Sequence, residues 1–460
     1  MTCTHQNSID LAHLEDIIFA KVETAKFLPG HKFTRGGFMF KGKKLIAVLA
    51  ASLLSLAVIT GCSSGDSADK VLRIATPSLG ESELPVWEAA KASYEASHDG
   101  WTVEFIQQDD DLYSTVGLPT LLNGKNSPDA YFEWAGARLD QRVAEGYAAD
   151  ISADIESSGL QDLFNEGAFS GYDSGGKLSM IPRTRDVTNV LWYNVDMFTK
   201  NGVTPPTTWD ELNTACAKFK SLKINCFVQG NKDLWTVGNW GGHIISRVAG
   251  EALYAETLQK TKPINGPEFV KGLTVLADLA KNGYVNESVN SIADNEAASL
   301  FFQGKAAFHP IGSWLIGTQQ DQAPDFKMDF INLPAITDGA GDQDSIMAVF
   351  TGYIVNEKST KKTEVLDFFK ELYNPENAKK IADSGTLLLV KSLAGGALDP
   401  LATKINALLD GAKVVVAPPD TGFELPVADA LNAAQAEAIG GKSTPQAALD
   451  VAQEKVAALQ

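Results

Sequence analysis

No apolar stretch in this sequence is long enough to cross a bilayer as a helix. The greasiest, Leu45–Ile59, runs for 15 residues, short of the roughly 20 required. Positive charge is also in deficit: 39 Lys and Arg stand against 57 Asp and Glu, a net charge of −18. That argues against nucleic acid as a partner, because phosphate binding needs a basic surface, and it disfavours polyanionic ligands. Cysteine is scarce, with four in 460 residues and no C-x-x-C, and the six histidines show no ligand-type pairing. Neither a redox pair nor a zinc site is expected, so no metal and no cofactor are assigned. The H-E-x-x-H and P-loop templates are missing as well, which leaves no motif for metalloprotease or nucleotide chemistry.

What is present begins at Lys41. A basic head, Lys41-Gly42-Lys43-Lys44, precedes the apolar stretch, and Ile59-Thr60-Gly61 leads into Cys62. This is the anatomy of an export signal rather than of a fold element. The residues before Cys62 resemble the lipobox of bacterial lipoproteins. The resemblance implies cleavage before Cys62 and a lipid anchor on it; the alternative is an ordinary cleaved signal with an incidental cysteine. Ser63-Ser64-Gly65-Asp66-Ser67 reads as a flexible tether. Upstream, residues 1–38 contain Asp10, Glu15, Asp16 and Glu23, acids that a signal head avoids, so Met39 is the expected initiator. Residues 1–61 are therefore read as signal and 62–69 as lipidated tether. Residues 1–61 carry seven basic and four acidic side chains, so without them the net charge moves from −18 to −21. The 399 residues that remain exceed one ordinary core and suffice for two lobes. With Cys3 discarded and Cys62 lipidated, Cys216 and Cys226 are left. In an exported chain they predict a disulfide, stapling a helix over Glu211–Ser221 to a strand at Cys226–Gln229 and contributing about 2–3 kcal/mol. Two buried free thiols are the alternative.

Strands and helices alternate at the start of this portion: strands over Val71–Thr76, Thr102–Gln107 and Asp129–Trp134, helices over Glu83–Ser97 and Leu112–Leu122. Such order predicts an α/β fold with a mainly parallel sheet, whose ligands gather at the strands' carboxyl ends. Those ends are Thr76–Glu83, Gln107–Asp111 and Trp134–Arg138. Further on, a hairpin signal at Phe169–Lys177 precedes β-rich residues through Asn194. Pro205-Pro206-Thr207-Thr208-Trp209-Asp210-Glu211 then reads as a stop followed by a capping box, Thr208 with Glu211. Later strands are expected at Ala306–Pro310, Lys327–Asn332 and Met347–Val355. Two last helices, Val427–Ile439 and Thr444–Ala458, read as peripheral because of their Ala and Gln content.

Aromatic residues stand out at places read as strand ends and loops: Trp134, Trp235, Trp240, Trp314, and Phe423 beside Glu424. A flat ring covers the C–H face of a sugar while carboxylates and guanidiniums satisfy the hydroxyls at its edge. Each ring could equally be a packing residue; Trp87, Trp101, Trp192 and Trp209 are assigned to packing.

Three blocks then carry a family resemblance. Ile181-Pro182 with Leu191–Phe198 and Pro205–Leu212 form the first. Phe302–Phe308 with Gly312-Ser313-Trp314 form the second, and Pro324-Asp325-Phe326 leading to Leu333-Pro334 the third. In order, they resemble the extracellular solute-binding proteins, family 1, of ABC sugar importers, of the maltose- or oligosaccharide-binding type. The resemblance implies a two-lobe periplasmic-binding-protein fold, type II-like, with two mainly parallel sheets joined by a multi-strand hinge. Crossings are expected near Arg183–Val187, Ala348–Gly352 and Leu398–Leu401. One lobe would comprise 70–184 and 351–399, the other 185–350 and 400–460. The resemblance also implies stacking by Trp134 and Trp314 and a third ring near Phe423. Glu81, Asp110, Arg138, and Arg185 or Asp186 would meet hydroxyls; Ala137 stands where such proteins often carry an acid. A lipid-anchored, monomeric, non-enzymatic receptor follows, with a mono- or oligosaccharide ligand, an ABC permease as partner, and the extracytoplasmic cell membrane, in a Gram-positive cell surface setting, as location. A polyamine or other small cation, favoured by the net acidity, is the alternative ligand; a glycoside hydrolase is the alternative activity.

Overall fold

The computed structural model describes residues 69–393 and 399–459. The export signal, Met39 and Cys62 lie outside the described residues, and the third crossing falls partly outside them, at 394–398. Among the described residues no helix is long and apolar enough to cross a membrane.

The first lobe grows from the alternation of apolar strands and amphipathic helices. Strands β1 (Val71–Pro77), β2 (Thr102–Gln108) and β3 (Ala130–Trp134) pair in parallel, with β1 between the other two. The helix Leu84–Ser97 buries Val86, Trp87, Ala90 and Tyr94, one stripe at helical spacing. A short hairpin, β4 (Asp173–Ser174) and β5 (Lys177–Leu178), follows, with Gly175 and Gly176 at its turn.

From β6 (Met180–Val187) the chain passes through Thr188 and Asn189 straight into β7 (Val190–Asn194) of a second sheet. That sheet also contains β8 (Asn225–Phe227), β9 (Ala306–Ile311) and β10 (Met328–Ile331), in the order β10-β7-β9-β8. The chain returns along β11 (Ile346–Val355), which pairs antiparallel with both β6 and β3. At its start β11 takes on β12 (Val415–Val416) in parallel. One end of the β6–β11 pair, Ile181 with Tyr353 and Val355, packs in a core with Trp87 and Phe368. The other end, Val187 with Ile346 and Ala348, packs in a different core with Trp192 and Phe301. These two strands therefore cross between lobes.

Both sheets are mixed: the first keeps a majority of parallel pairs, β1–β2, β1–β3 and β11–β12, against the antiparallel pairs of β11 with β3 and β6, and the second is not mainly parallel. In the second, only the β8–β9 pair is parallel. The β-α-β pattern that suggests parallel pairing belongs to the first three strands alone. A returning strand such as β11 must run against β6, and that order is set by the crossing.

The last helices are not peripheral as a pair. Leu425–Ile439 buries ten residues, including Asn432 and Gln435. It packs against the helices Trp235–Ala249, Pro267–Lys281 and Pro445–Ala457. Its alanines suit this position because small side chains let helix axes approach. Trp235–Ala249 is itself a helix where the sequence suggested loops. Fourteen of its fifteen residues are buried, so it has no polar face to give it a period. Its Gly238 and Gly241 stand so close to Asn432 and Gln435 that a Cβ would collide with them.

The capping box forms at Thr208 and Glu211, with Thr208 Oγ1 accepting from the Glu211 amide at 3.3 Å. Cys216, on the helix Trp209–Ser221, and Cys226, on β8, are both fully buried and joined as a disulfide.

Candidate ligand site between the two lobes

Between the lobes lies a cavity of about 700 Å³. The first lobe lines it with the carboxyl ends of β1, β2 and β3, including Asp110, Asp111, Trp134 and Arg138. The crossing strands contribute Arg183, Thr184, Asp186 and Thr351, and the second lobe Asp233, Trp235, Asn239, Asp294, Trp314 and Asn432.

Six side chains singled out from the sequence meet here: Asp110, Trp134, Arg138, Asp186, Trp235 and Trp314. Trp134 ends β3, with Phe132 edge-on to it at 5.0 Å and the Arg138 guanidinium 4.8 Å from its ring centroid. Trp235 and Trp314 lie together on the opposite side, their centroids 5.8 Å apart. The Gly312-Ser313-Trp314 turn has a reason at each position. A Cβ on Gly312 would overlap the Trp314 ring, the Gly312 carbonyl accepts from Trp192 Nε1 at 3.0 Å, and Ser313 Oγ donates to Asp186 at 2.7 Å.

Five others do not meet there. Trp240 is 1 % exposed and packs on Phe227, inside the core of the second lobe. Phe423 lies edge-on to Tyr254, and Glu424 reaches outward to Lys260 at 2.7 Å. Glu81 is exposed outside the lining. Glu83, the N-cap residue of the helix Leu84–Ser97, lines the cavity instead. Arg185 points away from the cleft, over Phe350, and donates to the carbonyls of Gly167 and Ser170 at 2.9 Å each. The pairing of β6 with β11 shifts register opposite Pro182–Thr184, and past that irregularity the side chains alternate, so Asp186 turns inward and Arg185 outward.

Sequence reasoning missed Glu83, Arg183, Asp233, Asp294, Asn239, Asn432 and Asp420 of the lining. Most begin or sit within helices whose register only the packing decides. A structural signal marks one of them. Leu234, between Asp233 and Trp235, holds φ 65°, a left-handed conformation costly for a bulky residue, and it opens the buried helix at the cavity wall.

The two guanidiniums in the lining are already engaged. Arg183 Nη2 donates to both Glu83 oxygens at 2.8 Å, and Trp87 Nε1 donates to Glu83 Oε1 at 2.9 Å. Arg138 donates to the carbonyls of Asp420 and Ser114 at 3.2 and 3.4 Å, and lies 3.8 Å from the Asp420 carboxylate. Asp186 accepts from Thr184 at 2.5 Å and from Ser313 at 2.7 Å. These bonds and the Arg183 charge offset, without cancelling, the burial that raises its carboxyl above the ordinary range.

Asp110, Asp111 and Asp294 behave differently. Desolvation by the cleft walls, reinforced by Asp111 and Asp109, pushes Asp110 up to about 6, with Arg138 opposing. Asp111 also rises to about 6 through desolvation and the facing Asp233, although Trp235 Nε1 donates to it across the lobes at 3.1 Å. Asp294 rises to about 7 through burial and then the charges of Asp111, Asp110 and Asp233. Together the walls offer flat rings, hydrogen-bond acceptors and negative charge, a surface able to hold a hydroxylated or cationic solute. Among the described residues no group of histidines, cysteines or acids could hold a metal ion.

Residues 89–394 match the bacterial extracellular solute-binding protein family, and the chain belongs to that family. It is an extracytoplasmic family of binding proteins. The chain is 26% identical over 307 residues to the arabinooligosaccharide-binding protein of Bacillus subtilis, covering 62% of this chain and 66% of that one. It is 24% identical over 296 residues to the multiple sugar-binding protein of Streptococcus mutans, covering 56% and 69%. A solved structure described under xylan utilization by Caldanaerobius polysaccharolyticus has a TM-score of 0.78 at 22% identity, covering 84% of this chain and 100% of that one. A chitin oligosaccharide binding protein gives 0.75 at 21%, covering 84% and 97%. These structures share the two-lobe α/β fold.

Proposed function

We propose that this protein is the lipid-anchored receptor of an ABC importer, capturing a mono- or oligosaccharide between its lobes and delivering it to the permease. The observation that carries the reading is the interlobe cavity with Trp134 on one side and the Trp235–Trp314 pair on the other, ringed by carboxylates and amides. Rings cover the faces of a sugar and acceptors take its hydroxyls. Relatives named for arabinooligosaccharide and multiple-sugar binding support the same class. The lobes are assigned as 70–184 with 351–399 and 185–350 with 400–460, hinged on β6 and β11. Because ligand touches both lobes only when they are closed, binding favours that state. Cys62 carries the anchor and keeps a monomeric receptor close to its permease.

Calorimetry against mono- to tetrasaccharides tests the ligand class, with a rise in melting temperature as the second readout. Heat with at least one saccharide is expected. No heat with any of them, beside clear binding of a polyamine, would replace the saccharide with a simple cation. For the anchor, Cys62→Ala is expected to release the protein from the cell and leave affinity unchanged.

A further inference from the structure

The side chains of the cavity wall are unequal in what they ask of a ligand. Every lining side-chain atom that is buried without a hydrogen-bond partner is an acceptor: Asn239 Oδ1, Asn432 Oδ1 and Asp294 Oδ1. Asn239 and Asn432 are 6 % and 2 % exposed, so water cannot readily supply the missing donors. An unpaired buried acceptor is costly, and these three sit in the wall of the cavity, where lobe movement can bring a donor to them.

Asp294 has a second reason to want a donor. Its neighbour His309 is fully buried, with Nδ1 2.9 Å from the Val228 carbonyl. A carbonyl only accepts, so Nδ1 carries the proton, and burial holds the imidazole neutral, with its pKa down at about 4. Nε2 is therefore a bare lone pair, and it faces Asp294 Oδ1 at 3.7 Å with no hydrogen bond of its own. When Asp294 is ionised, two acceptors confront each other there. On the far side of the cleft, Asp111 accepts from Trp235 Nε1 at 3.1 Å, and Trp235 is two residues after Asp233 in the same wall. Four carboxyl groups, Asp110 and Asp111 from one lobe and Asp233 and Asp294 from the other, thus line one cavity. Among the described residues no lysine lines the cavity, and both arginines are committed elsewhere.

A neutral sugar would supply single O–H donors and leave this charge in place. A protonated amine supplies up to three N–H donors and a compensating charge, and the Trp235 and Trp314 faces beside it suit a cation as well as a sugar ring. We infer that the ligand is a saccharide bearing a free, protonated amino group, whose ammonium sits among Asp110, Asp111, Asp233 and Asp294. The inference rests on the saccharide reading above and narrows it.

The experiment uses the purified protein and calorimetry at neutral pH, with mono- to tetrasaccharides in matched pairs. One member of each pair carries a free amine, and the other an N-acetyl or hydroxyl group at the same carbon; spermidine is run alongside. The expected result is binding of an amino sugar at least tenfold tighter than its neutral partner. Asp233→Asn and Asp294→Asn should each reduce that ratio to about threefold or less, and a cooperative thermal melt of each variant reports that it is folded. Equal or tighter binding of the neutral member, or a ratio unmoved by both substitutions, overturns the inference and leaves the saccharide reading standing. Tight spermidine binding with no saccharide binding keeps the ammonium site and removes the saccharide. If no ligand binds, both fall.

Discussion

The carboxylates around the cavity divide into two sets that differ in what the protein has already given them. Glu83 and Asp186, near the crossing strands, have partners: Glu83 has Arg183, Trp87 and Thr386, and Asp186 has two hydroxyls. Among the described residues Asp233 and Asp294 have no cation within salt-bridge distance, Asp110 has only the partial opposition of Arg138, which is bonded to Asp420, and Asp111 has a single indole N–H. A buried charge with a complete set of partners contributes to a defined structure. One lacking them costs stability until something else arrives. The first set therefore belongs to the framework and the second to the ligand.

The largest break in this comparison comes from the framework set. Arg183→Met strands Glu83, which is 6 % exposed, and is expected to cost about 3–5 kcal/mol in urea unfolding. Replacing both Cys216 and Cys226 with Ala should cost about 2–3 kcal/mol. Because neither sulfur lines the cavity, ligand affinity should not change. Trp134→Ala removes one stacking face and should weaken ligand binding by about 2 kcal/mol, or roughly thirtyfold, with unfolding barely altered.

The ligand set has its own signature in pH. Asp294 has a folded pKa of about 7, above its unfolded value, so the folded protein holds a proton that the unfolded chain releases. Its contribution to stability is complete below about pH 4 and is lost as pH rises through 7. Asp110, Asp111, Asp233 and the neutral His309 face it, and none reverses the sign. Asp294→Asn should therefore melt higher than the parent at pH 8 and nearly together with it at pH 4. Glu81→Gln and Glu424→Gln form the lower bound: both acids lie outside the cavity, and each should stay within about 0.5 kcal/mol in stability with affinity unchanged.

Much of the architecture was legible because local rules and tertiary packing agree. Thr208 with Glu211 marks a helix start, and Trp87 with Ala90 and Tyr94 marks a buried stripe. The helix Trp235–Ala249 was not legible: glycines at 238, 241 and 242 oppose helix formation locally, yet they are what lets neighbouring helices reach it. For the same reason Trp240 looked like a platform and proved to be core. At the site, Trp134, Trp314 and Asp186 could be found because they end strands or sit in short motifs. Asp233 and Asp294 stand some sixty positions apart and more than a hundred from Asp111. Only the fold brings them together.

The Trp235–Asp111 hydrogen bond has a practical consequence. It is a single indole N–H held by a carboxylate on the opposite lobe, so any separation of the lobes must break it. Indole emission responds to both local charge and wetting, so Trp235 should act as a built-in optical gauge of opening. A chain in which Trp134 and Trp314 are replaced by Phe would report that motion from this position with less background and no attached dye.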